Sequence, residues 1–264
     1  MHIADIRDPD VDPETWQRWE RFHVHRADVR KWAELRAVFD AVGACDFVFA
    51  NAGAATGDYE FLDDQYDDQG RLAEPQYGDL LTNAHGCLNT IKLAWHSMRK
   101  HGRAGSIVLT TGTPAYMPEH SLPVWSSSQA AHVGLVRSLR HHVGRDHITI
   151  NAVAAHATIT RMLMYDLAVP MIHAGTPVSS PEHVALALVF SATARQTRRV
   201  DVYGREPDSL RDTPGRWHGR VIVAWGDRYI ELEERMADLR EQCFGAETLA
   251  MFRKQQEVTD MRGE

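Results

Sequence analysis

Three histidines, His85, His120 and His156, are the residues of this sequence best suited to acid–base work. An imidazole with an unperturbed pKa of about 6.5 can give or take a proton near neutral pH. Tyr116 and Asn83 belong to segments at the same topological end of the strands, and join His156 and His85 as the candidate catalytic set. The chain carries fifteen histidines, so a packing or surface role stands beside the catalytic one for each. Trp125 also has two readings: an aromatic pocket wall with one indole donor, or simple packing. The acidic stretch 57–75 sets Asp58, Glu60, Asp63, Asp64, Asp67, Asp68 and Glu74 against Arg71. It reads as a solvated loop, because its glycine and closing glutamate are not at EF-hand spacing. Cys45, Cys87 and Cys243 are too few and too scattered for a disulfide framework or zinc cluster, so no metal site is expected.

The elements that would position these groups alternate between short apolar runs and helical patterns, as in an α/β protein with a parallel sheet. The strand candidates are His2–Asp5, Phe22–His25, Asp46–Ala50, Ser106–Thr110, Ile148–Val153 and Arg220–Ala224. Most are nearly continuous apolar runs, as expected where helices cover both faces. Helical patterns span Arg30–Val42, Gly78–Lys100, Ser126–Val143 and Pro181–Ala194, the last capped by Ser180 with Pro181 in its first turn. Thr160–Val178, rich in Met and punctuated by Pro and Gly, is expected to form a mobile lid; Arg228–Gln256 reads as a charged amphipathic tail, helical on the domain surface.

With 264 residues, 44% hydrophobic and a net charge of −7, the chain suits one domain with a full core, and a basic nucleic-acid binder is disfavoured. No run reaches the roughly 18 apolar residues of a membrane span, and the amino-terminal residues have no signal-peptide pattern, so a cytoplasmic protein is expected.

The order of motifs resembles the short-chain dehydrogenase/reductase family over most of the chain. Asn51-Ala52-Gly53-Ala54 looks like the family's N-A-G signature, and Asp28-Val29 matches the pair that holds the adenine ring. Asn83 matches the helix asparagine of the proton relay, Gly105-Ser106-Ile107-Val108 the strand leading to the catalytic serine, and Asn151-Ala152-Val153 the run before the nicotinamide loop. Tyr116-Met117-Pro118 through Trp125, with Phe244-Gly245 in the tail, looks most like fungal prostaglandin-dehydrogenase-type members. The resemblance implies a Rossmann-like, doubly wound parallel sheet in a single domain over 1–264, with a lid at 160–178 and an extension at 228–264. It also implies a homodimer or homotetramer built on Ala130, Ala131 and Gly134.

The family's chemistry does not carry over. The tyrosine position holds Trp125, the lysine position Gln129 and the serine position Gly112, with Thr110, Thr111 and Thr113 adjacent. An indole N–H is no acid near neutral pH, and an amide cannot lower a neighbour's pKa by charge. The first strand–turn–helix unit with its glycine-rich phosphate turn is missing: His2–Asp5 corresponds to the strand after it, with Asp5 as the acid for a ribose hydroxyl. Either an upstream segment lies outside this sequence, or the sheet has closed up by pairing His2–Asp5 with Asp46–Ala50. At the nicotinamide loop, Ala155-His156 replaces the usual Pro-Gly, while Thr160 fits the family's threonine. His85 stands where a small or apolar residue is usual.

Three readings follow. One is a non-redox enzyme (cyclase, pericyclase, isomerase or dehydratase) acting on an apolar secondary metabolite in the old cleft without a cofactor. There Trp125, Gln129, Thr111, Gly112, His120 and Thr160 would line the substrate site. The second is an NAD(P)-dependent oxidoreductase with a rebuilt relay, whose nucleotide would lie on Asp5, Asp28, Val29, Asn51 and Gly53. The third is a silent partner of an active homologue.

Overall fold

The computed structural model describes residues 1–8, 21–55 and 59–260. Asp58 of the acidic stretch and the final four residues lie outside the described residues. Strand β1 (His2–Asp5) pairs in parallel with β2 (His23–Arg26), from His2↔His23 to Asp5↔Arg26. Helix α1 (Trp32–Val42) leads to β3 (Phe47–Ala50). A helical run then passes from Gly78–Leu80 through a π-helical turn at Leu81–Gly86 into α2 (Cys87–Lys100). β4 (Ser106–Gly112), α3 (Pro123–Val143) and β5 (Thr149–Ala155) follow. After α4 (Tyr165–His173) and α5 (Pro181–Thr193) come β6 (Val221–Trp225) and β7 (Arg228–Glu231). Helices α6 (Glu233–Asp238), α7 (Arg240–Phe244) and α8 (Ala246–Thr259) close the described chain.

The main sheet has the order β3-β4-β5-β6-β7, parallel except for β7, which returns antiparallel to β6. Its central strands are apolar on both faces because helices cover both. Ile107, Leu109 and Ile150 face α2 and α3, in a core with Met98, Val136 and Val143. Val108 and Val153 face α5, with Val184, Ala187 and Ile222. Helix α5 starts where its cap places it: the Ser180 hydroxyl accepts from the His183 backbone N–H at 3.2 Å.

Two expectations change. β1 pairs only with β2 and β3 only with β4 among the described residues, so the sheet has not closed up by pairing His2–Asp5 with Asp46–Ala50. The tail at Arg228–Gln256 is not helical from its start. Arg228–Glu231 forms the edge strand β7, because Tyr229 and Ile230 pair with Ala224 and Val223. The proposed lid is partly ordered as α4, with Ala168 fully buried. No helix among the described residues is long and apolar enough to cross a membrane.

Two stability predictions arise from this packing. A Cβ on Gly86 would stand 2.5 Å from Val29 Cγ2, a short branch that cannot swing away. Gly86→Ala should therefore cost about 1–3 kcal/mol through overpacking, read as a lower thermal midpoint; an unchanged midpoint would contradict the contact. His218 accepts the Ile150 N–H at Nδ1 (3.1 Å), so its Nε2–H donates to the Arg140 carbonyl (2.8 Å). Protonating Nδ1 would break the first bond, and burial pushes the His218 pKa down to about 4. In the unfolded chain the imidazole titrates near about 6.5. Stability is thus full above that value and is lost as pH falls towards 4, by roughly 3 kcal/mol. Urea unfolding from pH 7 to pH 4 should show this loss in the native protein and a flatter profile in His218→Gln; parallel profiles would refute the assignment.

Candidate functional site

The carboxyl ends of the parallel strands β3, β4, β5 and β6 lie along one side of the sheet, the side on which open α/β sheets usually bind ligands. At the end of β5 the His156 backbone N–H donates to the Ala224 carbonyl at 2.9 Å, fixing the loop to β6. The His156 ring stacks on Trp225 with centroids 4.2 Å apart and 11° between planes. Its Nδ1 lies 3.1 Å from the Thr113 hydroxyl, while Nε2 is buried with no hydrogen-bond partner among the described residues. Burial lowers the pKa of His156, which favours the neutral ring near pH 7. A neutral imidazole with one nitrogen bonded to a hydroxyl has one valence left, a donor or an acceptor according to tautomer.

The relay positions form a different kind of site. Asn83, only 1% exposed, donates from Nδ2 to the Ala54 carbonyl (3.0 Å) and the Ser128 hydroxyl (2.9 Å), and accepts the Ala54 N–H (2.8 Å). Ser128 donates to the Trp125 carbonyl, and the Gln129 amide donates to Ser128 at 3.1 Å. Thr111 donates towards the Gln129 carbonyl (3.1 Å) and Oε1 (3.3 Å). These neutral side chains bond to one another and to backbone, not to a titrating group. A Cβ on Gly112 would come 3.5 Å from Trp125 Cη2 and from Gln129 Oε1, so the indole borders the space a serine side chain would fill.

Other candidates lie apart. Tyr116 donates to Glu233 Oε1 at 2.8 Å; burial, then the Glu233 charge, holds its pKa above the ordinary phenol range. His85, on the π-helical turn, and His120, in a loop, are exposed, whereas Asn83 on the same turn is buried. Thr160 closes a tight turn, accepting the Met162 N–H at 3.1 Å, and a Cβ on Gly53 would stand 3.8 Å from Met162 Cε. The start of the 160–178 segment therefore lies over the Gly53 shelf. One residue was not foreseen. Buried His132 donates from Nε2 to the Asn83 carbonyl (2.8 Å), leaving Nδ1 without a partner among the described residues, and burial lowers its pKa. In sequence it is one more histidine on an apolar helix face.

The described residues fit a nicotinamide dinucleotide only in part. The Asn51 shelf persists, with Thr110 donating to Asn51 Oδ1 at 2.7 Å. The Asp28 carboxylate, however, is already forked by Arg30 at 2.7–3.0 Å, which holds its pKa down. Val29 packs against Gly86, and Asp5 accepts the Arg7 N–H. The stacked His156–Trp225 pair stands at the end of β5, where the sequence resemblance puts the nicotinamide loop.

The model of the short chain dehydrogenase family matches residues 13–168. A Penicillium rubens protein, short-chain dehydrogenase/reductase prx4, is 44% identical over 250 residues, covering 95% of this chain and 75% of that one. The (+)-cis,cis-nepetalactol synthase NEPS3 of Nepeta racemosa is 27% identical over 146 residues, 53% of this chain and 52% of that one. Among solved structures, carveol dehydrogenase from Mycobacterium avium in complex with NAD superposes with a TM-score of 0.59 at 20% identity, covering 73% of this chain and 81% of that chain.

Proposed function

The chain belongs to the short-chain dehydrogenase family, and from that premise we propose that it is a non-redox enzyme of secondary metabolism. It would cyclise, isomerise or dehydrate an apolar substrate in the family's cleft. The observation that carries this reading is the relay itself. Trp125, Gln129 and Gly112 stand where the tyrosine, lysine and serine would be, and Gln129 is bonded into a neutral network with Ser128 and Thr111. No group there has a pKa suited to protonating an alkoxide after hydride transfer. A relative named for a synthase rather than a dehydrogenase is compatible with the same scaffold doing such chemistry.

In this reading the His156 ring supplies or removes the proton once substrate entry uncovers its Nε2, which is covered in this structure, with Thr113 on Nδ1 and the face of Trp225 holding the ring. Trp125 and Trp225 form flat apolar walls that select a folded conformer of the substrate. The turn at Thr160, with Met162 over Gly53, excludes water from one side.

Titration of the purified chain with NADH and NADPH tests the cofactor side of the reading. A ligand at 100 times its Kd adds about 2.7 kcal/mol of stability; no saturable rise in the thermal midpoint is expected. A saturable rise would favour the second reading, an NAD(P)-dependent oxidoreductase. The intact Asn51–Thr110 and Asn83–Ala54 contacts and the NAD complex of the carveol dehydrogenase support that alternative.

A further inference from the structure

We propose that Pro177 is a positioning residue for His156: seated on the turn between β6 and β7, it fixes Trp225, and Trp225 fixes the imidazole. Placement of the ring thereby depends on where the segment 159–178 lies. This link regulates the site of the proposed function, and rests on that reading only in taking His156 as the acid–base group. The two ends of the segment lie side by side. Thr158 bridges Ser179, and the Ser179 N–H donates to the Ala157 carbonyl at 2.8 Å. The Thr158 hydroxyl donates to the His156 carbonyl at 2.7 Å. The segment is therefore a loop closed at a neck that starts next to His156.

Coupling between parts of a protein travels through packed side chains and rigid elements, and each step here is one. Gly175, at φ +74°, follows the end of α4, and the Thr176 N–H donates back to the Met171 carbonyl at 2.9 Å. Pro177 is thus tied to α4 through Thr176. On the other side, Trp225 and Arg228 pair across a two-residue turn whose first position is Gly226, at φ +60°, where such turns favour glycine. A Cβ there would stand 2.7 Å from Pro177 Cβ, so the proline lies directly on the turn backbone. The far strand is held. Tyr229 on β7 stacks on His183 of α5, with centroids 4.0 Å apart and 2° between planes, and its hydroxyl donates to the His183 carbonyl at 2.6 Å. A displacement of Pro177 is therefore taken up at Trp225, whose ring lies 4.2 Å from that of His156.

Two features bias the loop towards a second arrangement. His156 Nε2 and Ser179 Oγ are buried without a partner among the described residues, and unmet buried polar atoms cost free energy. A shift of the neck that admits substrate or water gives both a partner. Along the segment, Met164, Tyr165 and Leu167 are exposed, apolar surface that closing over an apolar substrate would bury. Filling the site would then move α4 and with it Pro177, so that the imidazole takes its working place only when the substrate is covered.

Proton NMR of the full chain tests the link without any turnover. In the native protein the stacked Trp225 indole shifts the His156 ring protons upfield, and Trp225→Leu supplies the unstacked reference. Pro177→Gly should move the His156 signals most of the way to that reference. The signals of buried His218, held by Ile150 and Arg140, should stay in place and show that the fold is intact. Gly226→Ala should also displace the His156 signals, because its methyl meets the proline. In Gly226→Ala/Pro177→Gly that space is free, so the combined shift should fall short of the sum, as for residues in contact. Unchanged His156 signals in Pro177→Gly and Gly226→Ala would overturn the proposal. Strictly additive shifts would overturn it too, since the proline and the turn would then act separately. The ring signals decide the link even where His156→Ala keeps full turnover, a result that would remove only the acid–base assignment.

Discussion

Glu233→Ala is expected to lower the unfolding free energy by about 3 kcal/mol, at the lower end of the range for breaking a buried ion pair. The Glu233 side chain is 1% exposed and accepts two bonds from Arg137 at 2.8 Å and one from the Tyr116 hydroxyl, with Arg140 at 3.7 Å. Removing the carboxylate takes one of two nearby counter-charges from buried Arg140, leaving Asp201, and leaves Tyr116 without its acceptor. Arg137 is more than one third exposed and can turn to water, which is why the lower figure applies. Tyr116→Phe should cost less, about 1.5–3 kcal/mol for a hydrogen bond to a charged group. Urea unfolding of the two single variants and the double variant should show clear coupling between these contacting residues. If Glu233→Ala costs under about 1 kcal/mol, the level of an exposed pair, Glu233 does not anchor the C-terminal helices to the loop that carries Tyr116.

His156→Ala should reduce turnover of the natural substrate by at least about 100-fold, the low end of general acid–base contributions. The loss should appear in kcat more than in KM, because Trp125 and Trp225 remain to bind an apolar ligand. Thr113→Val should have a smaller effect of the same kind, since it removes only the hydroxyl that sets the tautomer at Nδ1. The pH profile of kcat should fall in acid below neutrality, since burial lowers the His156 pKa. The sign follows from a neutral ring being the active form and protonation removing it. His85→Ala, at an exposed site, should be nearly silent. Unaltered turnover in His156→Ala would move the chemistry elsewhere, with His132 Nδ1 the next base to test.

Much of the fold could be read from sequence because apolar runs mark strands buried on both faces. β4, β5 and β6 carry the apolar runs Ile107–Leu109, Ala152–Ala155 and Val221–Trp225. β7 could not be read this way: Arg228–Glu231 is a polar edge strand, and only its partner β6 makes it one. The break between β1 and β3 was foreseen as one of two outcomes, which pairing alone could separate.

The site divides in the same manner. The replacements at Trp125, Gln129 and Gly112 are visible as residue types at known positions in a helix and a strand. Their mutual saturation is a property of rotamers and needs coordinates. The stack of His156 on Trp225 joins the ends of β5 and β6, and nothing local to either residue announces it. Glu233 is hidden in a run of charges, where a buried carboxylate and a solvated one look alike in sequence.

The decisive measurement is the mass balance of turnover by nucleotide-stripped protein offered a panel of apolar terpenoid and polyketide precursors, with and without added NAD(P)H or NAD(P)+. A product isobaric with its substrate, or lighter by one water, formed at the same rate without nucleotide and lost in His156→Ala, is the predicted result. A product differing from substrate by two hydrogens, formed only with nicotinamide nucleotide, would contradict it and make the chain an oxidoreductase with a rebuilt relay.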